Sequence, residues 1–111
     1  MSGEYEATTT VVEPEVTEET KTRRMPPYNV VVLNDEDHTF EYVIEMLIKL
    51  FAHTLPRAKD LTWEIHSRGR AIVLTTHKEK AELKRDQVLA YGADPRLIRS
   101  KSSLRCYIEP A

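Results

Sequence analysis

Between residues 28 and 51 the hydrophobic period of the chain switches from about two to about 3.6. No other feature constrains the fold as tightly. Residues 28–34, YNVVVLN, are rich in β-branched side chains and predict a strand. Tyr28, Val30 and Val32 fall on one face and Val31 and Leu33 on the other, so both faces carry apolar groups to cover. From residue 40 the apolar positions follow a helical stripe: Phe40, Val43, Ile44, Leu47, Ile48 and Phe51. His38 or Thr39 is the expected N-cap, and Glu41 suits the positive end of the helix dipole. A strand that turns through a short polar corner into an amphipathic helix calls for a sheet with helices laid against it.

The remaining chain completes that layout. HTLP at 53–56 ends the first helix and opens a second, with Thr54 as N-cap and Pro56 in the first turn. Ala58, Leu61, Thr62 and Ile65 form its apolar stripe, and Gly69 suits its C-terminus. AIVLT at 71–75 predicts a second strand. THKE at 76–79 reads as a capping box, Thr76 with Glu79, opening a third helix over 77–91. That helix has a weak apolar pattern, so one broad face is expected in solvent. A loop rich in Gly, Pro and Ser follows, and LRCYIEP alternates Leu104, Cys106 and Ile108 as a last strand. The fold class is α+β, a two-layer β-α-α-β-α-β domain: a three-stranded antiparallel sheet with helices on one side. It is expected to span residues 27–111. Residues 1–26, dominated by Glu, Thr and Pro, predict a disordered N-terminal tail closed by MPP.

Totals narrow the function. A chain of 111 residues fits one small domain. A net charge of -2 offers no basic stripe for phosphates, so no nucleic-acid partner is expected. No apolar run is long enough for a bilayer, and the N-terminus has no apolar core of a secretory signal. One cysteine, Cys106, excludes an internal disulfide; a buried inert thiol in a cytoplasmic protein is the expectation. Neither metal nor cofactor is indicated. The four histidines lack metal-ligand spacing, and the acids at 35–37 lack the glycine and distal glutamate of a calcium loop. No catalytic residues are assigned.

The corner itself, NDEDHT, crowds Asp35, Glu36 and Asp37 before the first helix. Two readings compete: carboxylates that complement the helix dipole and cap its free N–H groups, or acceptors for a cation. Taken alone, the corner favours capping.

Three separated stretches change that balance: YNVVVLNDEDHTFEYVIEML, then RA..LT.EIHSRGRAIV, then EKAELK. In this order and at these intervals they resemble the ClpS family over residues 27–109. ClpS proteins are non-enzymatic adaptors that hand substrates to a Clp-type AAA+ unfoldase and protease. The resemblance implies that Asn34, Asp35 and His66 grip the free α-amino group of a substrate. An α-ammonium presents three donors and needs acceptors from several directions. It implies an adjacent apolar pocket of Phe40, Val43, Thr62, Ile65 and Leu104 for a bulky first residue: Phe, Tyr, Trp or Leu. It implies docking on the N-terminal domain of the unfoldase through Glu79 and Lys84, with the tail engaging the pore. Thr39-Phe40 stands where the family commonly has Pro-Met, and Thr62 where methionine is frequent. These departures motivate an alternative, a regulatory or inhibitory unfoldase-binding module without the usual N-degron specificity. The basic loop at 92–103 and Arg105 are expected to alter how the domain meets its partner.

Overall fold

The computed structural model describes residues 25–111. The predicted tail, apart from Met25 and Pro26, lies outside the described residues. The elements follow the expected order: β1 (Tyr28–Leu33), α1 (Phe40–Phe51), α2 (Leu55–Arg68), β2 (Arg70–Thr76), α3 (Lys78–Leu89) and β3 (Cys106–Pro110). β1 is the central strand and pairs antiparallel with both β2 and β3. The register against β2 shifts between Val30 and Val31, so Val73 stands without a partner across the ladder. Its carbonyl accepts from His53 Nε2 at 2.7 Å, which satisfies the group that the bulge sets free. His53 is thereby a structural residue.

Both faces of β1 are covered, for different reasons. Val30 and Val32 face the helices and join Leu47, Leu61, Ile65 and Val88 in the core. Val31 is fully buried on the opposite face, which carries polar side chains. There Arg70 bonds the Tyr107 hydroxyl and Glu109 (3.2 Å), and Asn29 bridges Glu109 (3.4 Å) and Thr75 (2.6 Å). Each fully buried aliphatic side chain on the helical face contributes about 1.5–3 kcal/mol.

Helix ends explain the boundaries. Thr39 is the N-cap of α1, its hydroxyl accepting from Tyr42 N–H at 3.1 Å. Thr54 caps α2 with Pro56 in its first turn, and Gly69 closes α2 at φ 87°, a left-handed conformation glycine adopts without penalty. The expected capping box does not form. Thr76 pairs with Tyr28 as the last residue of β2, so α3 begins one residue later. His77 is its N-cap, Nδ1 accepting from Lys80 N–H at 3.3 Å. The α1 stripe is also rotated from its expected centre: Tyr42, Val43, Met46 and Leu47 are buried, whereas Phe40 and Ile48 are exposed. The α2 stripe matches residue for residue. Leu104 lies before β3 instead of within it, yet is 1% exposed.

Candidate functional site

The corner after β1 is fixed on both sides by backbone bonds. Asn34 N–H donates to the carbonyl of Gly69 at 2.9 Å, which joins the end of β1 to the end of α2. The Asn34 carbonyl accepts from the Arg105 guanidinium at 3.2 Å. With its main chain tied in this way, the Asn34 side-chain amide makes no hydrogen bond among the described residues. The Gly69 contact also brings His66, one turn earlier in α2, to the same corner across thirty-two positions of sequence.

The acids of the corner do not cap α1. Thr39 and a residue from the far loop, Asp94, take that task. Asp94 is 1% exposed and its Oδ2 accepts from both the N–H (2.7 Å) and the hydroxyl (2.8 Å) of Thr39. Burial alone raises its pKa, but hydrogen bonds from Thr39 and Arg96 outweigh burial and hold the carboxyl down to about 2. Asp35 is left for other work. Its Oδ1 accepts from Asp37 N–H at 2.9 Å and from His38 Nδ1 at 2.7 Å. His38 Nε2 lies 2.6 Å from the Ser102 carbonyl, and the His38 side chain is 2% exposed. Both partners are acceptors, so the ring donates to the two together only with a proton on each nitrogen. Arg99 reaches the Glu36 carbonyl (2.6 Å) and Asp37 (3.2 Å).

Beside the corner lies a cavity of about 240 Å³ between α1, α2 and the segment before β3. Asn34, Asp35 and His66 line it together with Phe40, Val43, Thr62, Ile65 and Leu104. All eight residues expected to act together are therefore in one place. Two further lining residues, Glu36 and His38, were not anticipated. The Asp-x-x-His spacing at 35–38 is the one signal that marks His38 in advance. The walls divide by chemistry, with acceptors at the corner and aliphatic groups from α1 and α2 beneath. The Thr62 hydroxyl is satisfied within its own helix by the Ala58 carbonyl at 2.7 Å, so this polar residue adds no unpaired group to the cavity. Phe40, 40% exposed, meets His66 edge-on at a ring separation of 5.2 Å and Trp63 at 5.8 Å. Trp63, 60% exposed, completes this aromatic cluster; sequence alone did not single it out.

Glu79 and Lys84 lie away from the cavity on α3. Glu79 is exposed on a shallow groove of about 660 Å³, shared with Met25, Tyr28, His77 and Glu82. Lys84 is not an ordinary solvated lysine. Its ammonium donates to the Leu50 carbonyl at the end of α1 and sits 5.8 Å from the Phe51 ring. Cys106 is buried, which pushes its thiol up to about 12 against a small opposing effect of Arg85. It is accordingly poorly reactive. Among the described residues no three His, Cys, Asp or Glu side chains are grouped to hold a metal, and no helix is long and apolar enough to cross a membrane.

Fold and cavity together define a small α+β binding domain. A family model described as ATP-dependent Clp protease adaptor protein ClpS matches residues 23–106. Curated ClpS adapter proteins share this sequence at length. That of Nostoc is 39% identical over 87 residues, covering 78% of this chain and 90% of its own. That of Thermosynechococcus vestitus is 38% identical over 82 residues, covering 73% and 87%. The solved structure of Agrobacterium tumefaciens ClpS2 bound to L-phenylalaninamide superposes with a TM-score of 0.68 at 24% identity. It covers 79% of this chain and all of that one. The chain belongs to the ClpS family, adaptors of the ATP-dependent Clp protease, which deliver substrates and are not themselves enzymes.

Proposed function

We propose that this adaptor recognises the first residue of its substrates, reading a free α-amino group and a bulky apolar side chain, Phe, Tyr, Trp or Leu. The observation that carries the reading is that Asn34, Asp35 and His66 line the same cavity as Phe40, Val43, Thr62, Ile65 and Leu104. Its size is suitable. A dry apolar cavity of about 150 Å³ accepts a benzene ring, so about 240 Å³ leaves room for a ring and its ammonium. The acceptor set suits the ligand, because an ammonium brings donors and one positive charge. The Agrobacterium neighbour is described with L-phenylalaninamide, a compound carrying a free α-amino group and an aromatic side chain.

Delivery to the N-terminal domain of a Clp-type unfoldase through Glu79 and Lys84 belongs to the same proposal. Both residues are on α3, and the groove beside Glu79 includes Met25, where the described chain begins. A cytoplasmic location is the setting this function implies.

The test is binding of short peptides that differ only at the first residue, each with a free or an acetylated N-terminus. Phe- and Leu-first peptides should bind at micromolar Kd or tighter, about 8 kcal/mol or more. Acetylation removes the charge and leaves one N–H of three, and should abolish binding. Equal binding of the acetylated peptide refutes the reading. The outcome then favours a regulatory module, a role for which Phe40 against His66 at the cavity mouth is the structural argument.

A further inference from the structure

Three side chains and one carbonyl of the 90–105 segment converge on the corner that lines the cavity and on the start of α1. Asp94 holds Thr39, Arg99 holds Glu36 and Asp37, Arg105 holds the Asn34 carbonyl, and Tyr42 of α1 bonds back to the Gly92 carbonyl. These contacts fix backbone and side chains outside the proposed amino-group site. One contact from the same segment reaches a side chain of the proposed amino-group site, and it runs through His38.

We propose that His38 is a positioning residue of the site, one that orients the Asp35 carboxylate toward the ligand and couples that orientation to the 90–105 loop. The proposal rests on the amino-group reading above. The geometry supports it in three ways. First, His38 spans two anchors, Asp35 Oδ1 at 2.7 Å and the Ser102 carbonyl at 2.6 Å, so the ring is a strut and not a free arm. Second, it is 2% exposed and packed against the Tyr42 ring at 4.6 Å, which limits its rotation. Third, Oδ1 of Asp35 already accepts two bonds, from His38 and from Asp37 N–H. Oδ2 makes none among the described residues and is the oxygen left for an ammonium. A carboxylate with one oxygen clamped presents the other in a single direction, which lowers the ordering cost of binding. In metal sites, hydrogen-bond partners one step removed from the bound ion change affinity by about 10–100-fold when removed, and His38 stands in the same relation to the ligand here.

A double-mutant cycle on peptide binding tests the idea, read by fluorescence anisotropy with a Phe-first peptide labelled at its far end and its N-acetylated twin. His38→Ala should weaken the free-amine peptide about tenfold, at the lower end of that range. In the Asp35→Asn background the same substitution should cost no more than about twofold, because the group it orients is already altered. His38→Gln keeps a donor toward Asp35 but cannot reach both anchors. It should lose about threefold, again only when Asp35 is present, and it serves in the cycle if the alanine variant does not fold. Equal affinity of wild type and His38→Ala, or equal losses in both backgrounds, overturns the proposal while leaving the amino-group reading intact. A wild type indifferent to acetylation overturns that reading and this proposal together.

Discussion

Replacing Asp94 by asparagine isolates the bond that holds the far loop to the start of α1. The carboxylate accepts four hydrogen bonds: Thr39 N–H at 2.7 Å and hydroxyl at 2.8 Å on Oδ2, Arg96 N–H at 2.9 Å and guanidinium at 3.3 Å on Oδ1. An amide of the same shape must turn its NH₂ toward one of these donor pairs. Two donors then lose their acceptor and meet another donor. Each bond to a charged group is worth about 1.5–3 kcal/mol, but the Arg96 guanidinium and the Thr39 hydroxyl have access to water as a substitute. The net cost is about 2–3 kcal/mol, or about 10–20 °C in Tm for a domain of this size. Acid adds a second readout. The folded carboxyl, at about 2, titrates below its ordinary value of 3.8, so its stabilisation is complete above the unfolded value and is lost as pH falls from about 4 through 2. Allowing for screening, that loss is about 1–2 kcal/mol. Thermal unfolding followed by circular dichroism at pH 7, 4, 3 and 2 measures both. A variant within about 0.5 kcal/mol of wild type at pH 7, or one with the same decline between pH 4 and 2, refutes the assignment of Asp94 as the staple.

Other perturbations probe different links. Phe40→Ala opens the cavity mouth and should admit Ile- and Val-first peptides without tightening Phe or Leu; a panel of first-residue peptides reads this, and an unchanged ranking assigns Phe40 to surface packing. Lys84→Glu should weaken unfoldase binding while sparing peptide binding. It should also lower stability by about 1 kcal/mol through loss of the bond to the Leu50 carbonyl, so pull-down and melting must be measured together. Ala52 closes α1 at φ 57°, a left-handed conformation unfavourable for alanine. Ala52→Gly should therefore raise stability by about 0.5–1 kcal/mol in urea denaturation, and a loss would show that the strain is absent.

Elements with a strong local code were legible in the sequence. The α2 stripe of Ala58, Leu61, Thr62 and Ile65 is buried as its period requires, and Thr54 and Gly69 bound the helix. Legibility failed where a distant partner decides. THKE has the local form of a capping box, but pairing of Thr76 with Tyr28 keeps it extended and hands the cap to His77. The α1 stripe is apolar over a broader arc than the core uses, and packing of Tyr42 and Met46 set its rotation. Gathering of the eight candidate residues around one cavity follows from the family resemblance, not from local pattern. Asn34 and His66 meet because the Asn34 N–H finds the Gly69 carbonyl, a contact no sequence period reveals. The charge of the 92–103 loop and of Arg105 gives no orientation by itself: Arg96 turns to Glu45 (2.7 Å) and Arg99 and Arg105 to the corner. A run of charge gives no direction until the fold supplies the opposing charge.

Carboxylates before a helix ordinarily serve its N-terminus, where each contributes about 0.3–1 kcal/mol. At this corner the Thr39 side chain accepts from the Tyr42 N–H, and Thr39 is itself held by Asp94, a residue fifty-five positions away. Asp35 bonds back to Asp37 N–H and to His38, and Asp37 pairs with Arg99. Three neighbouring carboxylates repel one another, and the chain meets that cost with Arg99 and Arg105 placed against the same turn. The N-cap of α1 is Thr39 and not Asp35, and the arginines reach Asp37 and backbone carbonyls, while Oδ2 of Asp35 has no partner among the described residues. That oxygen, the Asn34 side chain, likewise without a partner among the described residues, and the apolar groups of the cavity they line form an arrangement with acceptors in surplus. A cationic ligand attached to an apolar group relieves both surpluses at once. An anionic ligand without donors relieves neither, so the same cavity should discriminate against it.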